Sequence, residues 1–330
     1  MPRTPGEIHR TVLLKEVVHW LSPRPEGRYL DGTTGMGGHS EAIMEAAQGR
    51  AELLCLDRDE EALALARERL AHWSGRIRFE HLAFSRFEAA LADAGWEGLD
   101  GVVLDLGVSS MQLDSPERGF SFREAGPLDM RMDPSGGLAP AARLVNKGSY
   151  GDLKRVIALY GEEPQAGRIV KAILREREQE EIRDTATLAR IVSEAYPAKW
   201  RAKSRTHPAT RTFQALRMAV NQELEELETF LDRIAGYLNP GGRVAVISFH
   251  SLEDRVVKRA FRALAKGCDC PTHQPICTCG KEPLVRILTK RPEVPTEEEM
   301  DANPRSRSAK LRVAERLPAT RDDRARGAGR

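Results

Sequence analysis

Between Tyr29 and Ser40 the chain reads Tyr-Leu-Asp-Gly-Thr-Thr-Gly-Met-Gly-Gly-His-Ser, a short apolar run that ends in an acid and opens into a glycine-rich turn. The run predicts a buried strand, and the residues behind the turn predict a helix that starts near His39 and Ser40. Such a turn lets backbone approach a ligand that any Cβ would push away, and the helix start offers free N–H groups. The next apolar run, Glu52 to Asp57, ends in a second acid twenty positions after Gly37. That is where a nucleotide-binding βαβ unit places its ribose-binding carboxylate.

The turn also narrows the nucleotide. A dinucleotide site wants G-x-G-x-x-G, and Gly35-x-Gly37 would need glycine at 40, where this chain has Ser40. The pattern of S-adenosylmethionine-dependent methyltransferases begins instead with an acid ending the first strand and spaces small residues after it. Asp31, Thr33, Gly35 and Gly37 fit that pattern, with Thr33 in place of the usual first glycine. A sulfonium cofactor has no pyrophosphate to cradle, so the turn need only admit its amino-acid part, while Asp57 accepts from the ribose hydroxyls.

The first third of the chain alternates strand and helix signals: Tyr29 to Asp31, a helix from about Ser40 to Gln48, Leu53 to Asp57, a helix from Asp59 to Trp73 with Asp59 as N-cap, Ile77 to Glu80, then Gly101 to Leu106. From about Ser115 the alternation stops. Residues 115 to 135 read as a long ordered loop, and Tyr150 to Tyr160, Gln165 to Arg177 and Ala186 to Ala195 carry helical apolar spacing. Phe213, Leu216, Val220, Leu224, Leu227, Leu231, Ile234 and Leu238 continue that spacing and predict one long helix packed on the sheet. Strand signals resume at Gly242 to Phe249. Leu284 to Lys290 and Lys310 to Glu315 alternate like the antiparallel edge of a mixed sheet. The expected fold is α/β, a Rossmann-like methyltransferase core with an inserted all-helical domain. The core occupies residues 1–114 and 213–316, the substrate-recognition insert 115–212, and 317–330 form a disordered tail.

In open α/β sheets ligands bind beyond the carboxyl ends of the strands, where strand order reverses. Asp31, Asp57 and Asp105 each end a predicted strand and share that rim. Asp105 holds the fourth-strand position at which amino-methyltransferases carry an acid or amide. An exocyclic amine of cytosine or adenine is a poor nucleophile, and an acceptor that binds its N–H and aims its nitrogen helps through orientation and charge stabilisation. His250, just past the fifth strand, is a candidate to accept the released proton, or a structural residue that fixes its loop. Methylation at carbon five of a pyrimidine needs a thiolate beside the fourth strand, and residues 105–112 contain no cysteine. Attack by nitrogen or oxygen is therefore expected.

No run of about 18 uncharged apolar residues and no signal-peptide pattern occurs, which predicts a cytoplasmic protein that is not membrane-bound. The net charge of +2 is nearly balanced, so any nucleic-acid surface must be local. Such a stretch exists: from Pro197 to Gln222 no acid occurs, while Lys199, Arg201, Lys203, Arg205, Arg211 and Arg217 gather beside Trp200 and His207. Lys199, Arg201, Lys203 and Arg205 are the candidate phosphate contacts, and Trp200 a candidate stacking platform. Four of the five cysteines lie between 268 and 279, too few for a secreted disulfide framework. Cys268-x-Cys270 and Cys277-x-Cys279 around His273 have the composition of a zinc site but an unusual spacing, and no metal is counted among the site residues.

Asp31 to Ser40, Leu104 to Ser110, Gly119 to Phe122, Leu128 to Asp133, His207 to Gln214 and Ser248 to Arg255 closely resemble motifs of the ribosomal RNA small subunit methyltransferase H (MraW) family, in order, from His9 to about Arg316. The resemblance implies transfer of a methyl group from S-adenosyl-L-methionine to the N4 amine of a decoding-centre cytidine in 16S ribosomal RNA. The partner it implies is 16S rRNA or the small ribosomal subunit. It places cofactor contacts at Gly37, Gly38, His39, Asp57, Phe84, Asp105 and Gln112. Asp105 and His250 remain the catalytic candidates. The alternatives are an NAD-dependent oxidoreductase and a non-catalytic RNA-binding protein on the same Rossmann-like fold.

Overall fold

The computed structural model describes residues 11–201, 206–268, 270 and 278–318. The chain forms two compact units, one from Met1–Gly107 with Glu225–Arg330 and the other from Val108–Leu224.

The first unit holds a seven-stranded sheet of β1 (Arg28–Asp31), β2 (Glu52–Asp57), β3 (Ile77–His81), β4 (Leu99–Asp105), β5 (Leu238–Ser248), β6 (Val285–Ile287) and β7 (Lys310–Arg316). Their order is β3-β2-β1-β4-β5-β7-β6. The first five run parallel, while β7 is antiparallel to both β5 and β6, as the alternation at the C-terminal end predicts. Successive side chains of a strand point to opposite faces, and here both faces are covered. Leu54, Leu56, Val102, Leu104, Val244 and Val246 pack with Phe87, Leu91, Leu227 and Phe230. Leu53, Cys55, Val103, Ala245 and Ile247 pack with Val17, Leu21, Ile43 and Met44 on the other side. Strand order reverses between β1 and β4, which pair with Leu30 opposite Val102. The carboxyl ends of these two strands define the ligand-binding edge of such a sheet.

The second unit is helical, with helices Ala141–Lys147, Tyr150–Leu159, Ala166–Gln179, Thr185–Ala195 and Thr210–Asn221 around a core that includes Leu153, Ile157, Ile169, Ile173, Leu188 and Phe213. Ser149 and Asp184 cap two of the helices by accepting from backbone N–H groups. The loop expected between 115 and 135 is ordered by Arg118, which donates to the Met132 carbonyl at 2.9 Å, and by the two-pronged pairing of Arg131 with Asp129.

One expectation fails. The apolar stripe from Phe213 to Leu238 is two helices followed by the first residue of β5, because Gln222 adopts a left-handed conformation (φ 53°) that ends Thr210–Asn221 before Glu223–Ile234 begins, and Leu238 already belongs to the strand. A residue at that φ breaks the i→i−4 hydrogen-bond ladder and redirects the chain. Phe213, Leu216 and Val220 then pack into the helical unit, Leu227, Leu231 and Ile234 pack on the sheet, and Leu238 joins the same core from within β5. The units accordingly part at 107/108 and 224/225, and the expected boundaries at 114/115 and 212/213 fall within the helical unit.

Candidate active site

The turn after β1 is built by short hydrogen bonds. Gly37 (φ 81°) donates to the Thr34 carbonyl at 2.8 Å and leads into the helix Gly38–Ala46. A Cβ on Gly38 would lie 1.9 Å from Thr11 Oγ1, so the backbone there tolerates no side chain unless Thr11 moves. Thr34 Oγ1 donates toward the carbonyls of Asp31 and Leu56, which ties the turn to the end of β2.

Two residues that depart from the usual glycine patterns prove to be struts. Ser40, where a dinucleotide turn has glycine, donates from Oγ to Asp31 Oδ2 at 2.6 Å. Thr33, in the place of the first methyltransferase glycine, accepts at Oγ1 from the Asp105 N–H at 2.6 Å and stitches the turn to the end of β4. Sequence reasoning missed both roles. The signal was present as a hydroxyl at each position that lost a glycine.

The three strand-end acids differ in environment. Asp31 is 1% exposed and also accepts from the Thr33 N–H. Burial pushes its carboxyl up, opposed by the His39 ring and the Ser40 and Thr33 donors. Asp57 is half-buried, with Oδ2 accepting from the Gly35 N–H at 2.7 Å and Oδ1 from the Asp59 N–H at 2.9 Å. Burial pushes it up to about 6 despite these donors. Asp105 is half-buried, and its Oδ2 lies 3.6 Å from His39 Nε2, too long for a hydrogen bond. Among the described residues, Asp105 Oδ1 and both nitrogens of the buried His39 have no hydrogen-bond partner. Buried polar atoms normally have partners, so this group at the β1–β4 edge is poised for a ligand that supplies them. The sequence could not show that His39 and Asp105 meet, since the meeting depends on β1 and β4 being neighbours.

Phe84 opens the short turn Phe84–Arg86 after β3, half-buried and edge-on to Phe230 with ring centroids 5.7 Å apart. Its Cβ lies 3.0 Å from where a Cβ on Gly32 would sit, which puts the ring beside the β1 turn. His250 follows β5 by two residues, on the strand that pairs with β4. It caps the helix Ser251–Leu264, accepting at Nδ1 from the Glu253 N–H at 3.4 Å, while Glu253 Oε2 accepts from the Phe249 N–H. Nε2 lies 3.0 Å from Glu253 Oε1 without hydrogen-bond geometry. The capping role is thus visible, and Glu253, 2% exposed, is a fixing residue that the sequence reading did not single out.

Gln112 and the basic stretch belong to the helical unit. Gln112, in the helical unit, forms a reciprocal capping box with Ser109 and is 4% exposed. Lys199 and Trp200 sit on the short helix Ala198–Arg201, both exposed, Trp200 at 52%. Only the backbone of Arg201 is described, and Lys203 and Arg205 lie outside the described residues. Two cations of the basic stretch have internal partners: Arg211 donates to the Glu162 carbonyl, and Arg217 pairs with Glu223 at 2.9 Å with both side chains largely buried. Cys268, Cys270 and Cys279 bring their sulfurs within 4.8 Å of one another, while His273 and Cys277 lie outside the described residues.

Comparison with known proteins matches one family along nearly the whole chain. The sequence profile of the MraW methylase family covers residues 6–317. The chain is 65% identical over 312 residues to the ribosomal RNA small subunit methyltransferase H of Maridesulfovibrio salexigens, spanning 94% of this chain and 96% of that protein. It is 60% identical over 309 residues to the protein of the same description from Oleidesulfovibrio alaskensis, spanning 94% and 95%. Among solved structures, a SAM-dependent O-methyltransferase from Thermotoga maritima aligns at 11% identity with a TM-score of 0.41, covering 95% of this chain and 69% of that one.

Proposed function

Because this chain belongs to the MraW methylase family, we propose that it is an S-adenosyl-L-methionine-dependent methyltransferase of 16S ribosomal RNA that acts on the N4 amine of a decoding-centre cytidine. The observation that carries the reading is the strand-end acid Asp105, with a buried, unpartnered oxygen beside His39 at the point where strand order reverses.

S-adenosyl-L-methionine supplies a methyl group made electrophilic by its sulfonium. The residues of the β1–β4 edge fit such a group. The turn at Gly37 and Gly38 admits its amino-acid part, ionised Asp57 accepts from the ribose hydroxyls, and the Phe84 ring packs on the base. Asp31 and Asp105 place negative charge where a cation must sit. Gln112 is a further cofactor contact in this reading, on the strength of the family motif alone.

Asp105 accepts an N–H of the cytosine amine and directs the nitrogen at the methyl carbon. The bound cofactor would supply the methyl carbon and keep the S–C electron pair on sulfur, and the nitrogen would give up one proton. Solvent takes that proton, or His250 takes it at Nδ1 on releasing the Glu253 N–H that this nitrogen caps. An amine inside a helix is out of reach, so the cytidine must be unpaired or extruded, held by Lys199, Trp200, Arg201, Lys203 and Arg205. Among the described residues no helix is long and apolar enough to cross a membrane, and the substrate reading places the work in the cytoplasm. The oxidoreductase alternative falls with family membership and with Ser40, whose hydroxyl is committed to Asp31.

The test is nucleoside mass analysis of 16S rRNA from cells that lack the protein, complemented with wild type or Asp105→Ala. Wild type should restore N4-methylcytidine and the variant should not. Unchanged methylation in cells without the protein would refute the assignment.

A further inference from the structure

One segment of the sheet unit holds none of the residues assigned to this chemistry. Between the helix Ser251–Leu264 and β6 the chain makes an excursion whose ends are joined, the Leu284 N–H donating to the Leu264 carbonyl at 2.8 Å. Its middle, from Cys268 to Cys279, reads Cys-Asp-Cys-Pro-Thr-His-Gln-Pro-Ile-Cys-Thr-Cys, with one large aliphatic residue, Ile276. A stretch of that composition offers little apolar surface to bury, the situation in which small folds rely on a metal or a disulfide.

The sulfurs are already gathered. Those of Cys268, Cys270 and Cys279 all lie within 4.8 Å of one another, and no disulfide joins these three residues. Cys279 Sγ and Cys268 Sγ are 3.8 Å apart. That separation is nearly twice an S–S bond of about 2.05 Å. It matches the edge of a tetrahedron of thiolates around zinc, since Zn–S bonds of about 2.3 Å give an S···S edge of about 3.8 Å. Cys268 Sγ also accepts from the Cys270 N–H at 3.4 Å, the kind of second contact that steadies a ligating sulfur.

We propose that Cys268, Cys270 and Cys279 bind one Zn(II) ion that staples this excursion shut, a structural site separate from the methyl-transfer edge. Each thiol gives up its proton to solvent as its Zn–S bond forms, with no change of oxidation state. Soft thiolate donors select zinc over the oxygen-seeking magnesium and calcium ions.

The test uses full-length, untagged protein purified without chelator. Elemental analysis should find close to one zinc per chain, released by a thiol-modifying reagent and absent from the Cys268→Ser, Cys279→Ser double variant. Cobalt substitution should give the intense near-ultraviolet bands of thiolate-to-cobalt charge transfer. Calorimetric binding of S-adenosyl-L-methionine by the double variant identifies a folded core, so that loss of metal is not read from unfolded protein. If the variant does not fold, the wild-type stoichiometry and the cobalt spectrum decide alone. Protein that carries no stoichiometric zinc and takes up none from a zinc-buffered solution would overturn the proposal, as would a mass two hydrogens short under non-reducing conditions with no metal.

Discussion

The two units hold their functional residues in opposite ways. In the sheet unit Asp31, Asp57 and Asp105 are fixed by strand ends, and their positions follow from the ladder that pairs β1 with β2 and β4. In the helical unit Lys199 and Trp200 stand exposed on a helix of four residues. The difference teaches which substitutions should act through geometry and which through charge. A displaced strand-end acid loses its aim, whereas removal of one surface cation leaves a similar field.

The largest effect should come from the sheet unit. Asp105→Ala is expected to lower the single-turnover methyl-transfer rate about 10²–10³-fold, the scale for loss of one preorganised polar group, with thermal stability little changed. The backbone N–H of Asp105, which bonds Thr33, survives the substitution. A rate within about threefold of wild type would put Asp105 outside the chemistry.

Charge reversal at Lys199, Arg201 and Lys203 should weaken RNA binding and flatten its salt dependence, by about 0.7 in the log–log slope for each phosphate no longer neutralised. Trp200→Ala should cost about 1–3 kcal/mol of RNA affinity, the range for a stacked base. Cofactor affinity should not move in either variant. RNA titrations at several salt concentrations, beside calorimetry with the cofactor, would show whether the two functions separate.

Gly38→Ala should destabilise the sheet unit by about 1–3 kcal/mol through the clash with Thr11, and Thr11→Ala in the same chain should recover part of that, since the nearest atom is Thr11 Oγ1. Denaturant unfolding of the single and double variants checks the coupling. The smallest effect on RNA is expected at Arg217→Gln. Its partner is Glu223, so stability should fall while the salt slope stays as in wild type.

Much of the sheet unit was legible because local signals and fold agree there. Asp31, Asp57 and Asp105 each follow an apolar run, Asp59 caps its helix, and the alternation of Lys310 to Glu315 is that of an antiparallel strand. What stayed hidden was either non-local or against propensity. The approach of His39 to Asp105 depends on strand order, and the partner of Thr33 lies 72 residues away. The break at Gln222 could not be read because the apolar spacing runs through it, and glutamine carries no turn signal.

Cofactor binding at this edge depends on Asp57 holding the ribose as a carboxylate. With its carboxyl raised to about 6, the free protein should protonate it as pH falls through that value and lose acceptor capacity. Titration calorimetry of S-adenosyl-L-methionine from about pH 5 to 8 tests this directly. The expected result is one site per chain, with an affinity level above about pH 6 that drops toward tenfold per pH unit below it, and a weaker, pH-flat affinity in Asp57→Asn. Tight binding by Asp57→Asn with the wild-type pH profile would contradict it.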